Sequence, residues 1–252
     1  MDIKSESKYS GFLNKEDIKV KNSLSELISN APIPPEELLY NIPLFCDRRI
    51  ISRILFINEI YQHIVKLHGN IFEFGVRYGQ NLALFTSLRG IYEPFNHNRR
   101  IVGFDTFSGF TEINTDKDGK LFKSGDYSVP LGYEVFLESV LQTHEKMAPV
   151  ESIKKFQLVK GDVSITLPLY LEEHPETIIS LAYFDMDVYK PTRDCLELIK
   201  PYITKGTCIA FDELNDFNWP GETIALREVF GTHNFRLQHS AFRSTAAYLI
   251  FE

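Results

Sequence analysis

The sequence predicts an α/β domain built on a doubly wound, mostly parallel sheet that ends in a C-terminal antiparallel hairpin. Three observations predict it. From Asn70 onward, short apolar runs alternate with segments of helical periodicity, the pattern of βαβ units. The last two runs, HNFRLQHS and STAAYLIFE, follow one another with no helix between them and read as a hairpin. Several runs end in an acid or a glycine, at the strand ends where open parallel sheets bind ligands.

Composition sets the frame for these elements. The 252 residues are 44% hydrophobic, enough for one sizeable core, and the formal net charge of −7 argues against a broad nucleic-acid-binding face. Cys46, Cys195 and Cys208 have no metal-ligand or redox spacing and read as reduced thiols of a cytoplasmic protein. The charged opening MDIKSESK has no apolar signal region, and no apolar run approaches the roughly 18 residues of a membrane span.

Residues 1 to 45 are polar and punctuated and read as a loose arm with a short capping element. Such an arm is a candidate surface for homo-oligomer formation. RRIISRILFINEIYQHIVKLHG then repeats apolar residues at helical spacing, Ile50, Ile54, Ile57, Ile60, Ile64 and Leu67, and stops at Gly69. The expected division is an N-terminal arm with capping helices over 1–69 and the α/β domain over 70–252. The strands are NIFEFG, RIVGFD, FQLVKG, TIISLAYFD and GTCIAFD; the helices span about 79–92, 131–146, 164–173, 190–203 and 221–230. One connection is too long for a plain turn. TFSGFTEINTDKDGKLFKSGDYSVP, over 106–130, exceeds the ~12–15 residues usual for loops in compact domains. It leaves the carboxyl end of the second strand, which favours a lid over a bland surface loop.

The first strand turns into its helix through Glu73, Gly75 and Gly79. Gly75 permits a sharp turn, and Gly79 lets the helix start close to a ligand, where its N-terminus suits a carboxylate. The G-x-x-x-G spacing lacks the middle glycine of a pyrophosphate cradle. Asp105 ends the second strand, placed to accept the ribose hydroxyls of an adenosine group. After the third strand, Asp162 and Val163 are placed to meet an adenine, although Asp162 serves equally well as the N-cap of the next helix.

The most informative segments are LAYFDMDVYKPT and FDEL. Asp185 and Asp187 follow the fourth strand, Asp212 and Glu213 the fifth, and adjacent parallel strands bring their carboxyl ends side by side. Four carboxylates at one rim repel one another and resist desolvation. A divalent cation resolves the conflict, and hard oxygen ligands suit Mg²⁺, with Mn²⁺ or Ca²⁺ as alternatives. The competing reading has each acid capping a helix or pairing with Lys190, Arg193 or Arg227.

Taken in order, FEFGVRYGQN, FDTFSGF, GDYSVPL, GDVSITLP, FDMDVYKPT and GTCIAFDEL resemble the macrocin O-methyltransferase (TylF-like) family of class I S-adenosylmethionine-dependent methyltransferases, over roughly Ile71 to Phe230. The resemblance implies a Rossmann-like fold and methyl transfer to a hydroxyl of a sugar or sugar-containing metabolite, with S-adenosylmethionine and a divalent metal as cofactors. It implies cofactor contacts from Glu73, Gly75, Gly79, Asp105 and Thr106. The family's Asp-Gly-Asp-Leu-Tyr is Asp185-Met186-Asp187-Val188-Tyr189 here, and its Asp-Asp is Asp212-Glu213. Asp185 is the expected base and, with Asp212 and Glu213, the expected metal set. His144 and His239 are alternative bases. The rival readings are a phosphatase or nucleotide-sugar transferase that uses D-x-D for metal, or a methyltransferase-like protein that only binds.

Overall fold

A computed structural model describes residues 15–252. The chain divides into two compact units, Met1–Ile51 and Ser52–Glu252. In the first lie α1 (Lys15–Ser29) and α2 (Pro35–Tyr40). Part of the stretch read as a loose arm is therefore helical: KEDIKVKNSLSELIS holds no glycine or proline and is rich in good helix formers. Residues 1–14 of that arm lie outside the described residues. Helix α2 starts with Pro35, whose fixed φ suits a first turn, and Glu36 and Glu37 complement its dipole.

Helix α3 (Arg48–Ile64) leads into the second unit. Its buried residues are Phe56, Ile57, Ile60, Tyr61 and Ile64, a stripe at helical spacing. Ile50 and Ile54, expected on that stripe, are exposed instead, because the inward face at this end of the helix carries Arg53 and Phe56. There follow β1 (Asn70–Phe74), α4 (Gln80–Tyr92), β2 (Ile101–Asp105), α5 (Tyr133–Lys146), β3 (Phe156–Lys160), α6 (Val163–Glu173), β4 (Ile179–Phe184), α7 (Tyr189–Ile199), β5 (Ile203–Phe211), α8 (Gly221–Val229), β6 (Gln238–His239) and β7 (Ala247–Ile250).

The seven strands form one sheet in the order β3-β2-β1-β4-β5-β7-β6, with β7 antiparallel to both β5 and β6. This is the predicted doubly wound, mostly parallel sheet with its terminal hairpin. Pro201 ends α7 early: Lys200–Tyr202 tightens into a 3-10 turn, and β5 begins ahead of the predicted strand. The first arm of the hairpin shrinks to two residues. Thr232–Asn234 form another 3-10 turn, and Phe235 packs on Phe230 and Phe251 rather than extending the sheet.

The central parallel strands β1, β2 and β4 and the second half of β5 are buried on both faces, as their continuous apolar runs require, while β3 at the edge is half-buried. Phe72, Phe74, Ala182, Phe184, Ile209 and Phe211 belong to the layer with α6, α7 and α8. Ile71, Leu181, Tyr183, Cys208 and Ala210 alternate onto the opposite face, under α3, α4 and α5. Buried Arg99 fixes the end of the sheet away from the rim. It donates to the carbonyls of Ile64, Leu67 and Gly69 and pairs with Glu93, satisfying the last carbonyl of α3 and two of the turn that follows it.

Candidate functional site: an acid-lined rim beside a glycine turn

The register of the sheet builds the site. Phe74 pairs with Phe104 and Phe184, and Phe184 with Phe211, so Asp105, Gly75, Asp185 and Asp212 all emerge at one level. Backbone bonds continue the ladder past the strand ends: Gly75 N donates to the Phe104 carbonyl, Asp185 N to that of Phe74, and Asp212 N to that of Phe184. The strand order reverses between β1 and β4, which places this rim at the topological switch point.

Gly75 has φ +91°, and a Cβ there would lie 2.0 Å from the carbonyl oxygen of Asp185. Only glycine lets the turn after β1 approach the β4 end this closely. Gly79, at φ +77°, is the N-cap of α4 and provides no side-chain cap for it. Asp105 knits the turn together. Its Oδ2 accepts from Val76 N and Arg77 N at 2.7 Å each, and its Oδ1 from Phe107 N at 2.6 Å. A carboxylate offers about four acceptor sites, so three are already engaged and room for one ribose hydroxyl is left. Thr106 Oγ1 donates to the Gly109 carbonyl and accepts from Ser108 N, closing its own turn. Asp162 caps α6 through Ser164 N at 2.9 Å, and Val163 is buried in the core beside it.

Glu73 points into the face under α4. Its Oε1 accepts from Asn81 Nδ2 at 3.0 Å, while its Oε2 is buried with no hydrogen-bond partner. Burial, and then the charge of Asp185, push this carboxyl well above its usual range. An orphaned buried oxygen beside an uncapped helix start and a tight glycine turn fits a site for a ligand with amino-acid and adenosine parts.

At the acid rim, two arginines face the carboxylates. Arg53 of α3 reaches Asp185 Oδ2 through one terminal nitrogen and Asp212 Oδ2 through the other, both at 3.3 Å. Arg243 adds a bond to Asp212 Oδ2 at 2.8 Å, and the buried Tyr183 hydroxyl donates to Asp212 Oδ1 at 2.7 Å. These contacts split the acids. Burial raises the pKa of Asp212, but Arg53, Arg243 and Tyr183 outweigh it and hold the carboxyl below its ordinary value. Burial and the neighbouring Asp212 charge push Asp185 up to about 7 against the pull of the arginines. Burial and the Asp212 and Asp185 charges push Glu213 up to about 8. Burial and the charge of Glu213 drive Asp187 well above its usual range.

The expected metal set of Asp185, Asp212 and Glu213 is not gathered as one. Among the described residues no group of three His, Cys, Asp or Glu side chains is placed to hold a metal ion. The Arg53 guanidinium bridges Asp185 and Asp212, so these two acids already share a cation supplied by the chain itself. Nor do the acids pair with Lys190, Arg193 or Arg227. Lys190 pairs with Glu112 and Arg193 with Asp194. His144 lies in the last turn of α5 and His239 on the short edge strand β6.

Four residues of the site escaped the sequence reading. Arg53 had a signal: with Ile57, Ile60 and Ile64 it stands at core spacing on α3, a charge on an apolar stripe. Arg243 and Tyr183 had none. Glu222 is buried at the start of α8, and its Oε1 accepts from Met186 N and Asp187 N. It thereby holds the turn in which Asp187 adopts φ +62°. Gly221 is required beside it, since a Cβ would meet the Asp187 carbonyl oxygen and Tyr189 N at 2.7 Å.

The long connection over 106–130 forms no helix or strand, but it is packed. Phe110, Phe122 and Tyr127 make edge-to-face contacts with one another, and Trp219 lies against Phe122. Buried Asp118 latches it down: its Oδ1 accepts from Tyr189 N at the start of α7, and its Oδ2 from Asn114 N, both at 2.6 Å.

Known structures agree with this architecture. No protein-family model matches the chain, and no curated protein does. The crystal structure of CalS11, a calicheamicin methyltransferase, superposes with a TM-score of 0.91 at 45% identity, over 94% of this chain and 93% of that one. An apo structure of CalS11, described as a TDP-rhamnose 3'-O-methyltransferase of calicheamicin biosynthesis, gives 0.84 at 42% identity, over 94% and 95%. The O-methyltransferase NovP matches with a TM-score of 0.56 at 18% identity over 80% of each chain, a likeness of fold alone. This chain is an S-adenosylmethionine-dependent O-methyltransferase, and it belongs to the CalS11 family of class I methyltransferases.

Proposed function

We propose that the enzyme methylates a hydroxyl of a sugar, in the first instance a deoxysugar carried on a nucleoside diphosphate, within the macrocin (TylF-like) branch of O-methyltransferases. The acceptor class rests on the likeness to CalS11, whose substrate is TDP-rhamnose. The chemistry rests on one observation: the backbone of Asp185 abuts the glycine turn and its carboxylate charge bears on Glu73 there, which supports a base beside the expected donor site. Arg53 and Arg243 are fixed charges; the His144 and His239 alternatives rest on no contact with this rim.

Glu73, Gly75, Gly79 and Asp105 are the residues to hold S-adenosylmethionine, with Thr106, Asp162 and Val163 around its adenosine end. When bound, that cofactor supplies an electrophilic methyl group on a sulfonium. Asp185 accepts the proton of the acceptor hydroxyl as the new C–O bond forms, general base catalysis by a carboxyl poised near neutrality. Asp212, held anionic by its donors, stays a charge and not a proton carrier. The 106–130 segment closes over the site and excludes water. The donor set does not fit the divalent cation that the resemblance implies, and no step is drawn through one. No described helix is long and apolar enough to cross a membrane, and the free cysteines suit the expected cytoplasmic setting.

The test is to incubate the purified chain with methyl-labelled S-adenosylmethionine and TDP-rhamnose, with and without Asp185→Asn. Label in the sugar product from wild type and a severe loss in the variant are expected. Absence of label across a panel of nucleotide-linked and free sugars overturns the acceptor class.

A further inference from the structure

We infer that Arg53 and Arg243 take the place of a divalent cation at this rim: two fixed guanidinium groups compensate Asp185 and Asp212, so the acid wall works without bound metal. The inference rests on the reading of Asp185 as the base, but the experiment below does not.

Three observations carry it. The first is position. One Arg53 guanidinium spans the gap between the two strand-end carboxylates, with a nitrogen 3.3 Å from each. One cation thus serves both acids, a task that the planar fork of arginine suits. The second is donor capacity. Asp212 already receives three donors, Arg53 and Arg243 on Oδ2 and Tyr183 on Oδ1. A carboxylate in this state has little lone-pair capacity left for a metal. The third is charge. Two arginine charges lie against Asp185 and Asp212, and both side chains are largely enclosed, 13% and 18% exposed. Arginine does not lose its proton in proteins, so these charges leave only if the side chains swing away. Adding a dication beside them places like charges at close range in a poorly solvated site.

The arrangement explains a feature of the sequence that the metal reading leaves unexplained. Arg53 stands at a core position of α3, where burying a charge is costly unless it is paired. Its pairing with two acids from two different strands meets that condition. Arg243, in the connection between β6 and β7, supplies the second charge from the opposite end of the chain.

The test uses the full chain and Mn²⁺ alone, followed by the loss of the free-ion signal in electron paramagnetic resonance. Wild type is expected to show no saturable site up to about 1 mM, the weak end of functional divalent sites. Arg53→Ala combined with Arg243→Ala is expected to bind one Mn²⁺ per chain at least tenfold more tightly than any wild-type binding, and a further Asp212→Asn to abolish it. S-adenosylhomocysteine binding to each variant checks that it is folded. Stoichiometric Mn²⁺ uptake by wild type overturns the inference, and so does a folded double variant that gains no site. Should the double variant fail to fold, Arg53→Gln and Arg243→Gln are titrated singly against the same criteria. Because no acceptor is present, a wrong acceptor assignment leaves this result intact.

Discussion

At the residue scale, Asp185 and Asp212 are the same side chain on neighbouring strands, and their surroundings give them different chemistry. Asp212 has three donors and stays ionised; Asp185 has one long contact to Arg53, with burial and its neighbour pushing it up to about 7. Below that value Asp185 keeps its own proton and cannot accept another. Turnover is therefore expected to rise with pH through about 7, with an apparent pKa that belongs to the coupled acids rather than to one. A flat profile from pH 5 to 8, measured as kcat/KM, removes Asp185 from the base role. Asp185→Asn is expected to lower kcat by on the order of 10²–10⁴ while leaving S-adenosylhomocysteine affinity intact. The same raised pKa bears on stability. The native state holds this proton more tightly than the unfolded chain, so its stabilising contribution is complete below the ordinary carboxyl pKa and is lost as pH rises through about 7. In urea unfolding, Asp185→Asn should therefore gain on wild type more at about pH 8 than at about pH 5. Glu222 offers a second contrast. Burial and the Asp187 charge push its carboxyl well above its usual range while its Oε1 accepts from Met186 N and Asp187 N. Glu222→Gln preserves that acceptor and should keep both activity and stability. Glu222→Ala leaves two donors unpaired and should cost roughly 1–3 kcal/mol in chemical denaturation.

At the scale of elements, the proposed lid over 106–130 is a connection whose tie-down points are clear. Asp118 joins it to the first turn of α7, the helix that follows the Asp185–Asp187 turn, and Lys117 pairs with Glu228 of α8 beside it. Hydrogen exchange over 106–130 is expected to slow when S-adenosylhomocysteine binds, and Asp118→Ala should speed exchange at Asn114 and Tyr189 in both states. Identical exchange in wild type and variant shows that Asp118 is no latch. Such a latch was illegible in the sequence. TDKDGK reads as a polar stretch, and nothing local distinguishes Asp118, buried against α7, from Asp116, which is exposed. The central parallel strands were legible for the opposite reason. Burial on both faces demands unbroken runs such as SLAYF and CIAF, which no amphipathic helix produces. The weak hairpin arm was not, because Phe235 spends its apolar surface on Phe230 and Phe251, a choice that only tertiary packing settles. The acids at the strand ends were visible as a pattern, whereas their partners Arg53 and Arg243 lie 132 and 31 positions away from them.

At the scale of the whole catalytic unit, the donor site is also a joint of the sheet. Asp105 at the end of β2 ties down the turn after β1, and Gly75 of that turn rests on the Asp185 carbonyl at the end of β4. Three strands therefore meet where the cofactor is expected, and a ligand there is felt by the global fold. S-adenosylhomocysteine at about 100 times its Kd should add about 2.7 kcal/mol, a rise in Tm of roughly 5–10 °C for a chain of this size. Asp105→Ala separates the two duties of the residue. It leaves the N–H groups of Val76, Arg77 and Phe107 without their acceptor, which lowers the Tm of the free protein. It also removes the proposed ribose contact, a charge-assisted hydrogen bond worth on the order of 1.5–3 kcal/mol, so the increment on adding ligand should shrink as well. The two effects are read independently, one from the free protein and one from the ligand-induced shift in the same scans. A variant that loses Tm but keeps the full ligand increment assigns Asp105 to the architecture of the turn alone, and places the ribose contact on another residue of the rim.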